Sequence, residues 1–222
     1  MISQKAKYAL RALVALAELF GIAGGTMRTA LSRAVARGEI DADVGRYRLT
    51  GRLLDRQRAQ DAGRRAPQQP WDGAWHVVVT VDDRRTLAER RRFRSLMADH
   101  RVAELRPDIW MRPANLDQPR VTGGCIVTTG PVTPADPATL VRRLWDLDAI
   151  ARAARTLDAR LAGTVAATDA PGADDPASIP ELFVLAAEVV RFLRSEPLLP
   201  AALLPPVWPV EQLRTRYDAA EA

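Results

Sequence analysis

The chain has 222 residues, of which 47% are hydrophobic, and this is enough apolar surface for more than one packed core. A single cysteine excludes an internal disulfide and a cysteine-based zinc site, and the net charge of +5 favours a polyanionic partner. No apolar run reaches the roughly 18–20 residues of a membrane span, and the first residues lack a secretory signal pattern, so we expect a cytoplasmic protein with no membrane partner.

The first predicted elements are two helices separated by glycines. Residues 8–19 have helical periodicity, and Gly21 is expected to end that helix. Thr26 is expected to cap a second helix, which ends at Gly38. Its apolar residues recur at helical spacing, which predicts one buried face. The opposite face carries polar and basic side chains: Arg28, Thr29, Ser32, Arg33 and Arg37.

The second helix is followed directly by a predicted hairpin. Ile40 and residues 44–49 are expected to form two short strands, with Gly45 in the bend. A helix followed by a hairpin is the order of a recognition helix and its wing, and arginine on such a helix can contact guanine through two hydrogen bonds. The alternative is an ordinary amphipathic helix with a solvated basic face. The predicted DNA contacts are Thr26, Arg28, Thr29, Ser32, Arg33 and Arg37, with Arg46 and Arg48 of the wing on phosphates.

The middle of the chain predicts a mixed helix and sheet domain. Residues 64–70 contain two prolines and no periodicity, which is typical of a linker. A valine-rich strand at 71–81, a helix at 84–100 and strand-like segments at 103–112 and 120–129 follow. This order fits half or more of a ferredoxin-like sheet.

The remaining residues predict a helical domain. Helical patterns cover 140–161 and 179–194, and the proline-rich stretch 196–209 is expected to pack as a strap across this domain. The predicted α+β division is therefore a winged-helix domain at 1–63, a linker at 64–70, a ferredoxin-like domain at 71–135 and a helical domain at 136–222. Residues 1–70 hold 13 Lys and Arg against 6 Asp and Glu, whereas residues 136–222 hold 9 against 13. This asymmetry suggests that the first domain meets the polyanion.

The middle domain contains arginines and tryptophans that could bind an effector. Guanidinium groups pair with phosphates through parallel hydrogen bonds, and aromatic side chains line pockets for acyl or aryl groups. The alternatives are a solvated helix face for the arginines and core packing for the tryptophans. The predicted effector-binding residues are Arg84, Arg91, Arg94 and Arg112, with Trp75 and Trp110.

Catalytic patterns are weak in this sequence. Asp82 and Asp83 end a predicted strand, where a metal-dependent nuclease of ferredoxin-like fold could carry its aspartate, but a convincing carboxylate set is lacking. Cys125 with a histidine could form a thiol catalyst, although we expect a packed thiol in a buried strand. We therefore expect no enzyme activity, no cofactor and no metal.

Several motifs, in unchanged order, resemble the PaaX-type repressors of phenylacetate catabolism. They cover residues 21–33, 45–50, 71–75, 108–113 and 198–209. The resemblance implies a dimeric winged-helix repressor that binds double-stranded operator DNA and releases it when an acyl-CoA or aryl-CoA such as phenylacetyl-CoA binds. Members have roughly one more helix ahead of Leu10, which implies an N-terminally truncated module here. A regulator that binds effector and dimerises with impaired DNA binding is the alternative.

Overall fold

The computed structural model describes residues 8–51, 53–54, 69–81, 85–121, 123–133, 136–168 and 178–221. These residues contain helices and two antiparallel sheets, as expected for an α+β protein. The strands are β1 (Tyr8–Ala9), β2 (Ile40–Asp43), β3 (Arg46–Leu49), β4 (Ala74–Thr80), β5 (Ala103–Arg106), β6 (Ile109–Pro113) and β7 (Cys125–Pro131). The helices are α1 (Leu10–Leu19), α2 (Gly24–Ala36), α3 (Leu87–Asp99), α4 (Pro137–Leu144), α5 (Leu147–Thr168), α6 (Ser178–Ser195) and α7 (Pro209–Glu221).

Contacts divide the chain into two compact units. Unit 1 comprises Met1–Arg64, Leu157–Val190 and Arg214–Ala222, and unit 2 comprises Arg65–Thr156 and Arg191–Leu213. The predicted helical domain at 136–222 is thus shared between the two units, because α5 and α6 each contribute residues to both. The predicted linker lies outside the described residues, except for Gln69 and Pro70. No helix in the described ranges has the length and apolar character that a membrane crossing requires.

Unit 1 begins with two helices packed on a small sheet of strand order β1-β3-β2. Val14 of α1, Leu31 of α2 and Ile40 of β2 are buried. The sequence predicted a helix over the whole of 8–19, but Tyr8 and Ala9 instead form β1, which pairs with β3. A two-residue strand carries too little alternation to be recognised from sequence, because its partner strand determines its conformation.

The predicted hairpin is present as β2 and β3, joined by a two-residue turn. Val44 and Gly45 have φ values of 44° and 71°, which is the left-handed pair required by the tightest hairpin turns. Val44 is 97% exposed at the tip. In the register, Asp41 faces Arg48 and Asp43 faces Arg46, so these four charged residues share one face of the hairpin.

Unit 2 contains a four-stranded antiparallel sheet of order β5-β6-β4-β7. The predicted strand at 103–112 is wrong in one respect, since it consists of two strands joined by a turn. Asp108 in that turn has a φ of 68°, a conformation that aspartate tolerates better than most residues. The predicted helix between β4 and β5 is present as α3, which begins with a capping box formed by Thr86 and Glu89.

Both faces of the unit 2 sheet are covered. On one face, Trp75 and Met111 pack with Val141 of α4 and Leu199. On the other, Val78 and Trp110 pack with buried side chains from and just after α3, Met97 and Val102. The predicted helix at 140–161 is interrupted at residues 145–146, where α4 ends and α5 begins.

The proline-rich strap packs on the unit 2 sheet as well as on α4, which is the first helix of the predicted helical domain. Residues 196–200 are all buried. Arg112 and Asn115 donate hydrogen bonds to the Leu198 carbonyl at 3.5 and 2.8 Å, and Arg101 donates to the Glu196 carbonyl at 2.7 Å. The strap is therefore held by main-chain carbonyls, which hydropathy patterns do not reveal.

Candidate nucleic-acid interface

The polar face of α2 is exposed, as the sequence predicted. Thr26, Arg28, Thr29, Ser32 and Arg33 are all exposed, while Leu31 on the opposite side is buried. The predicted cap at Thr26 is wrong: the helix begins two residues earlier, and its N-cap Ala23 makes no side-chain hydrogen bond. Thr26 therefore lies in the first turn, where its hydroxyl is exposed beside the N-terminal N–H groups that attract anions.

The arginines of this surface differ in whether an acid already binds them. The side chains of Arg28 and Arg33 have no ion pair or hydrogen bond to any residue in the described ranges, although Oε1 of Glu18 and Nη1 of Arg28 both lie within 3.5 Å of the Cβ position of Gly24. Arg37, just after α2, donates to Glu39 at 2.8 Å, and this hydrogen bond raises the pKa of Arg37. The side chains of Arg28 and Arg33 are therefore available to contact a polyanion, whereas Arg37 would first have to break its ion pair with Glu39.

The two arginines of the hairpin differ in the same way. Arg48 forms an ion pair with Asp41 at 2.8 Å. Arg46 is exposed and makes no described ion pair, although Asp43 lies opposite it in the register. The charged face of the hairpin carries two aspartates and two arginines, so its net charge is close to zero. The sequence prediction considered only the two arginines and did not anticipate this balance.

The base of the hairpin is fastened to the end of α2. The Thr50 hydroxyl donates to the Gly38 carbonyl at 3.0 Å, and the Thr50 N–H donates to the Glu39 carbonyl at 2.8 Å. Gly51 has a φ of 49°, and a Cβ there would lie 3.0 Å from the Gly38 carbonyl oxygen. These contacts fix the hairpin relative to the exposed face of α2.

The start of α2 lies so close to α1 that only glycine fits there. A Cβ on Gly24 would lie 2.9 Å from Cγ1 of Val14 and 3.0 Å from Oε1 of Glu18. We expect Gly24→Ala to lower the free energy of unfolding by about 1 kcal/mol, since the clash outweighs the gain in helix propensity. A thermal melt followed by circular dichroism measures this loss.

Gly25→Ala is the matched control for that variant. No atom lies within 4 Å of a Cβ at Gly25, so the change should leave stability unchanged or slightly higher. Equal melting temperatures for the two variants would contradict close packing of α1 on α2.

The predicted effector residues do not all lie at one site, although Arg94 and Trp110 line the same small cavity. Trp75 and Trp110 lie on opposite faces of the sheet, so they cannot line a shared pocket; each belongs to a different core cluster. Arg112 is fully buried, and this burial lowers its pKa to about 9, so it stays protonated at neutral pH. Arg91 is exposed, and Nη2 of Arg94 lies 3.6 Å from Oε2 of Glu104. Arg84 lies outside the described residues.

Two further arginines of the same arginine-rich stretch line that cavity beside Trp110. Arg85 and Arg90 border it together with Phe93. The sequence contained a signal for Arg90, because a residue three positions before the inward-facing Phe93 lies on the same side of the helix. Arg85 lies ahead of α3, where helical spacing gives no such guide.

The catalytic alternatives gain no support from the described residues. Asp82 and Asp83 lie outside them, and within them no three His, Cys, Asp or Glu side chains are grouped as metal ligands. Buried His76 contacts the Thr129 hydroxyl at 2.7 Å and the Leu116 carbonyl at 2.9 Å. Cys125 is half-buried and accepts a hydrogen bond from Arg85 at 3.1 Å.

Comparison with known proteins finds a family match in the N-terminal part of the chain. No curated protein matches the chain. A solved structure titled "Uncharacterized protein Rv0674 from Mycobacterium tuberculosis" is similar to it with a TM-score of 0.79 and 36% identity, covering 97% of this chain and 87% of that one. The sequence profile described as "PaaX-like protein" matches residues 2–53, which include α1, α2 and the hairpin. The N-terminal part of the chain therefore belongs to the PaaX-like family.

Proposed function

We propose that this protein is a transcriptional repressor that binds operator DNA through α2 and the hairpin. The observation that carries the proposal is the exposed polar face of α2, where the side chains of Arg28 and Arg33 form no ion pair with a described residue. Membership in the PaaX-like family supports a role in transcription regulation. In this proposal α1, α2 and the hairpin act as a winged helix, with the first turns of α2 in the major groove.

The proposed repressor acts as a homodimer on a palindromic operator. Two copies of a recognition helix read half-sites about 34 Å apart, or a multiple of that distance, along one side of the duplex. The unit 2 sheet supports a ferredoxin-like central domain, since its strand order is that of this fold, although residues 114–121 and 123–124 between β6 and β7 form no helix.

Release from the operator is proposed to follow binding of an acyl-CoA or aryl-CoA thioester, of which phenylacetyl-CoA is the candidate to test first. Such an effector must bind the DNA-free conformation more tightly than the DNA-bound one. A 100-fold loss of operator affinity requires a coupling free energy of about 2.7 kcal/mol.

The test is fluorescence anisotropy of the full chain with its own upstream promoter fragment, with and without phenylacetyl-CoA, at two salt concentrations. Tight binding that depends on sequence and is released by the thioester is the expected result. Binding that ignores the thioester would remove the effector from the proposal. Binding with no sequence preference at either salt concentration would remove the repressor.

The two hairpin arginines should contribute unequally to that binding. We expect Arg46→Ala to weaken binding to all sequences alike and to reduce the slope of log affinity against log salt by about 1, as for the loss of one phosphate contact. Arg48→Ala should change the slope less, because Arg48 is already bound to Asp41. Anisotropy titrations at several salt concentrations measure both slopes, and a larger change for Arg48 would contradict the assignment.

A further inference from the structure

A small cavity in unit 2 combines arginines with an aromatic wall. It lies between the start of α3, the end of β4 and the turn that joins β5 to β6, and its volume is about 210 Å³. At about 30 Å³ per water, it has room for roughly seven waters or a small organic group. Its polar lining includes Thr80, Arg85, Arg90, Arg94, Glu104 and Asp108.

Both acids of this cavity already have partners. Asp108 accepts a short hydrogen bond from the Thr80 hydroxyl, and the Thr80 N–H donates to the Asp108 carbonyl at 2.9 Å. Glu104 lies 3.6 Å from Arg94. The carboxylates therefore offset at most two of the three guanidinium charges that line the cavity.

Arg85 makes no hydrogen bond to a carboxylate of the described residues, although the Glu89 carboxylate lies near enough for the charge of Arg85 to help lower the pKa of Glu89. Its guanidinium carbon lies 4.1 Å from the centre of the Phe93 ring, and its Nη2 donates to Cys125 Sγ at 3.1 Å and to the Gly124 carbonyl at 3.5 Å. These three contacts orient the guanidinium but do not neutralise its positive charge. Such fixed orientation lowers the entropy cost of binding an anion.

Arg90 supplies a second available cation. Its side chain is exposed and makes no ion pair or hydrogen bond with any residue in the described ranges. The Phe93 and Trp110 rings meet edge to face at 5.7 Å and form the apolar part of the wall. A ligand with one oxyanion and a compact apolar body would match both halves of the cavity.

We propose that this cavity binds the carboxylate or phosphate group of a small molecule, with Arg85 and Arg90 as its ligands. Guanidinium groups bind both oxyanions through two parallel hydrogen bonds, which explains why two arginines rather than lysines suit the site. The binding itself is independent of DNA recognition. If the bound molecule is also the effector that releases the operator, that further role rests on the proposed function.

The test uses isothermal titration calorimetry of the full chain with two probes, benzoate and inorganic phosphate. We expect at least one of them to bind with a Kd that is measurable at ligand concentrations up to about 10 mM. Binding of benzoate alone would assign a carboxylate ligand, and binding of phosphate alone a phosphorylated one. Failure of both probes to bind would overturn the proposal.

Arg90→Gln and Arg91→Gln form a matched pair for the same experiment. Arg91 is the next residue on α3 and is exposed, but it does not line the cavity. We expect Arg90→Gln to weaken binding of the probe at least tenfold and Arg91→Gln to leave it within twofold. Equal losses would indicate general attraction to a basic surface and would overturn the proposal.

Measuring the affinity of the Arg90→Gln variant for the promoter fragment, with no effector present, distinguishes failure of this proposal from failure of the proposed function. We expect the affinity of this variant for the promoter fragment to equal that of the unchanged chain, because Arg90 belongs to unit 2 and the α2 surface to unit 1. Loss of probe binding with intact DNA binding would support the cavity. Intact probe binding by this variant would overturn the assignment of Arg90, whatever the result with DNA.

Discussion

Arg112→Ala is expected to lower the free energy of unfolding by about 3 kcal/mol or more. The side chain is 0% exposed and donates to the Pro113 carbonyl at 3.0 Å, the His100 carbonyl at 3.1 Å and Asn115 Oδ1 at 3.1 Å. Alanine would leave these buried acceptors without a donor and would open a cavity between the sheet and the strap. Urea denaturation followed by tryptophan fluorescence measures the loss.

Arg106→Ala is the control for this variant. Arg106 is exposed at the end of β5, so its replacement should change stability by no more than about 0.5 kcal/mol. Arg112→Lys is informative as well, because it retains the charge but cannot reach several carbonyls with a planar fork. A loss for Arg112→Ala as small as that for Arg106→Ala would contradict a structural role for the buried cation.

Arg33→Ala is expected to reduce affinity for the operator by about 5-fold to 150-fold, equivalent to roughly 1–3 kcal/mol for a contact between arginine and a guanine. The variant should also discriminate less between the operator and sequences that differ at one base pair. Arg28→Ala should behave in the same way, because Arg28 shares the exposed face and its side chain forms no ion pair with a described residue. Competition anisotropy with single-base variants of the promoter fragment measures both effects.

Arg37→Ala is the control for these two variants. It removes an arginine just after the same helix, but one that is bound to Glu39 at 2.8 Å. We expect a smaller loss of affinity and no change in sequence preference. If Arg37→Ala relaxed the preference as much as Arg33→Ala, the proposed orientation of α2 on DNA would be wrong.

The elements of the candidate interface could be predicted because local rules determine them. The spacing of Met27, Leu31 and Ala34 indicated which face of α2 packs inward, and Gly45 indicated the hairpin turn. The start of α2 was misplaced because the helix uses the close approach of Gly24 to α1, not a capping side chain. Its position therefore depends on tertiary packing that propensities do not contain.

The effector residues could not be assigned because side-chain direction in a sheet depends on register. Trp75 and Trp110 are separated by 35 positions in the chain, and only the pairing of β4 with β6 shows that they lie on opposite faces. Arg112 was predicted to bind the effector, yet its guanidinium donates hydrogen bonds to carbonyls of the strap. The residue type shows that Arg112 is positively charged, but its burial and its hydrogen-bond partners depend on the tertiary structure.

The attachment of the strap has a consequence for how this part of the chain can change. Arg112, Asn115 and Arg101 bind main-chain carbonyls of the strap, which every amino acid possesses. Leu198, with a φ of 51°, makes its bond through its backbone oxygen. Substitutions at the strap leave these acceptors in place, so we expect sequence changes there to be tolerated where the apolar contacts survive, except at Leu198, where the left-handed backbone disfavours proline and β-branched residues. Substitutions of the three donors, Arg101, Arg112 and Asn115, would remove the hydrogen bonds themselves. We therefore expect these three positions to tolerate fewer substitutions than the strap does.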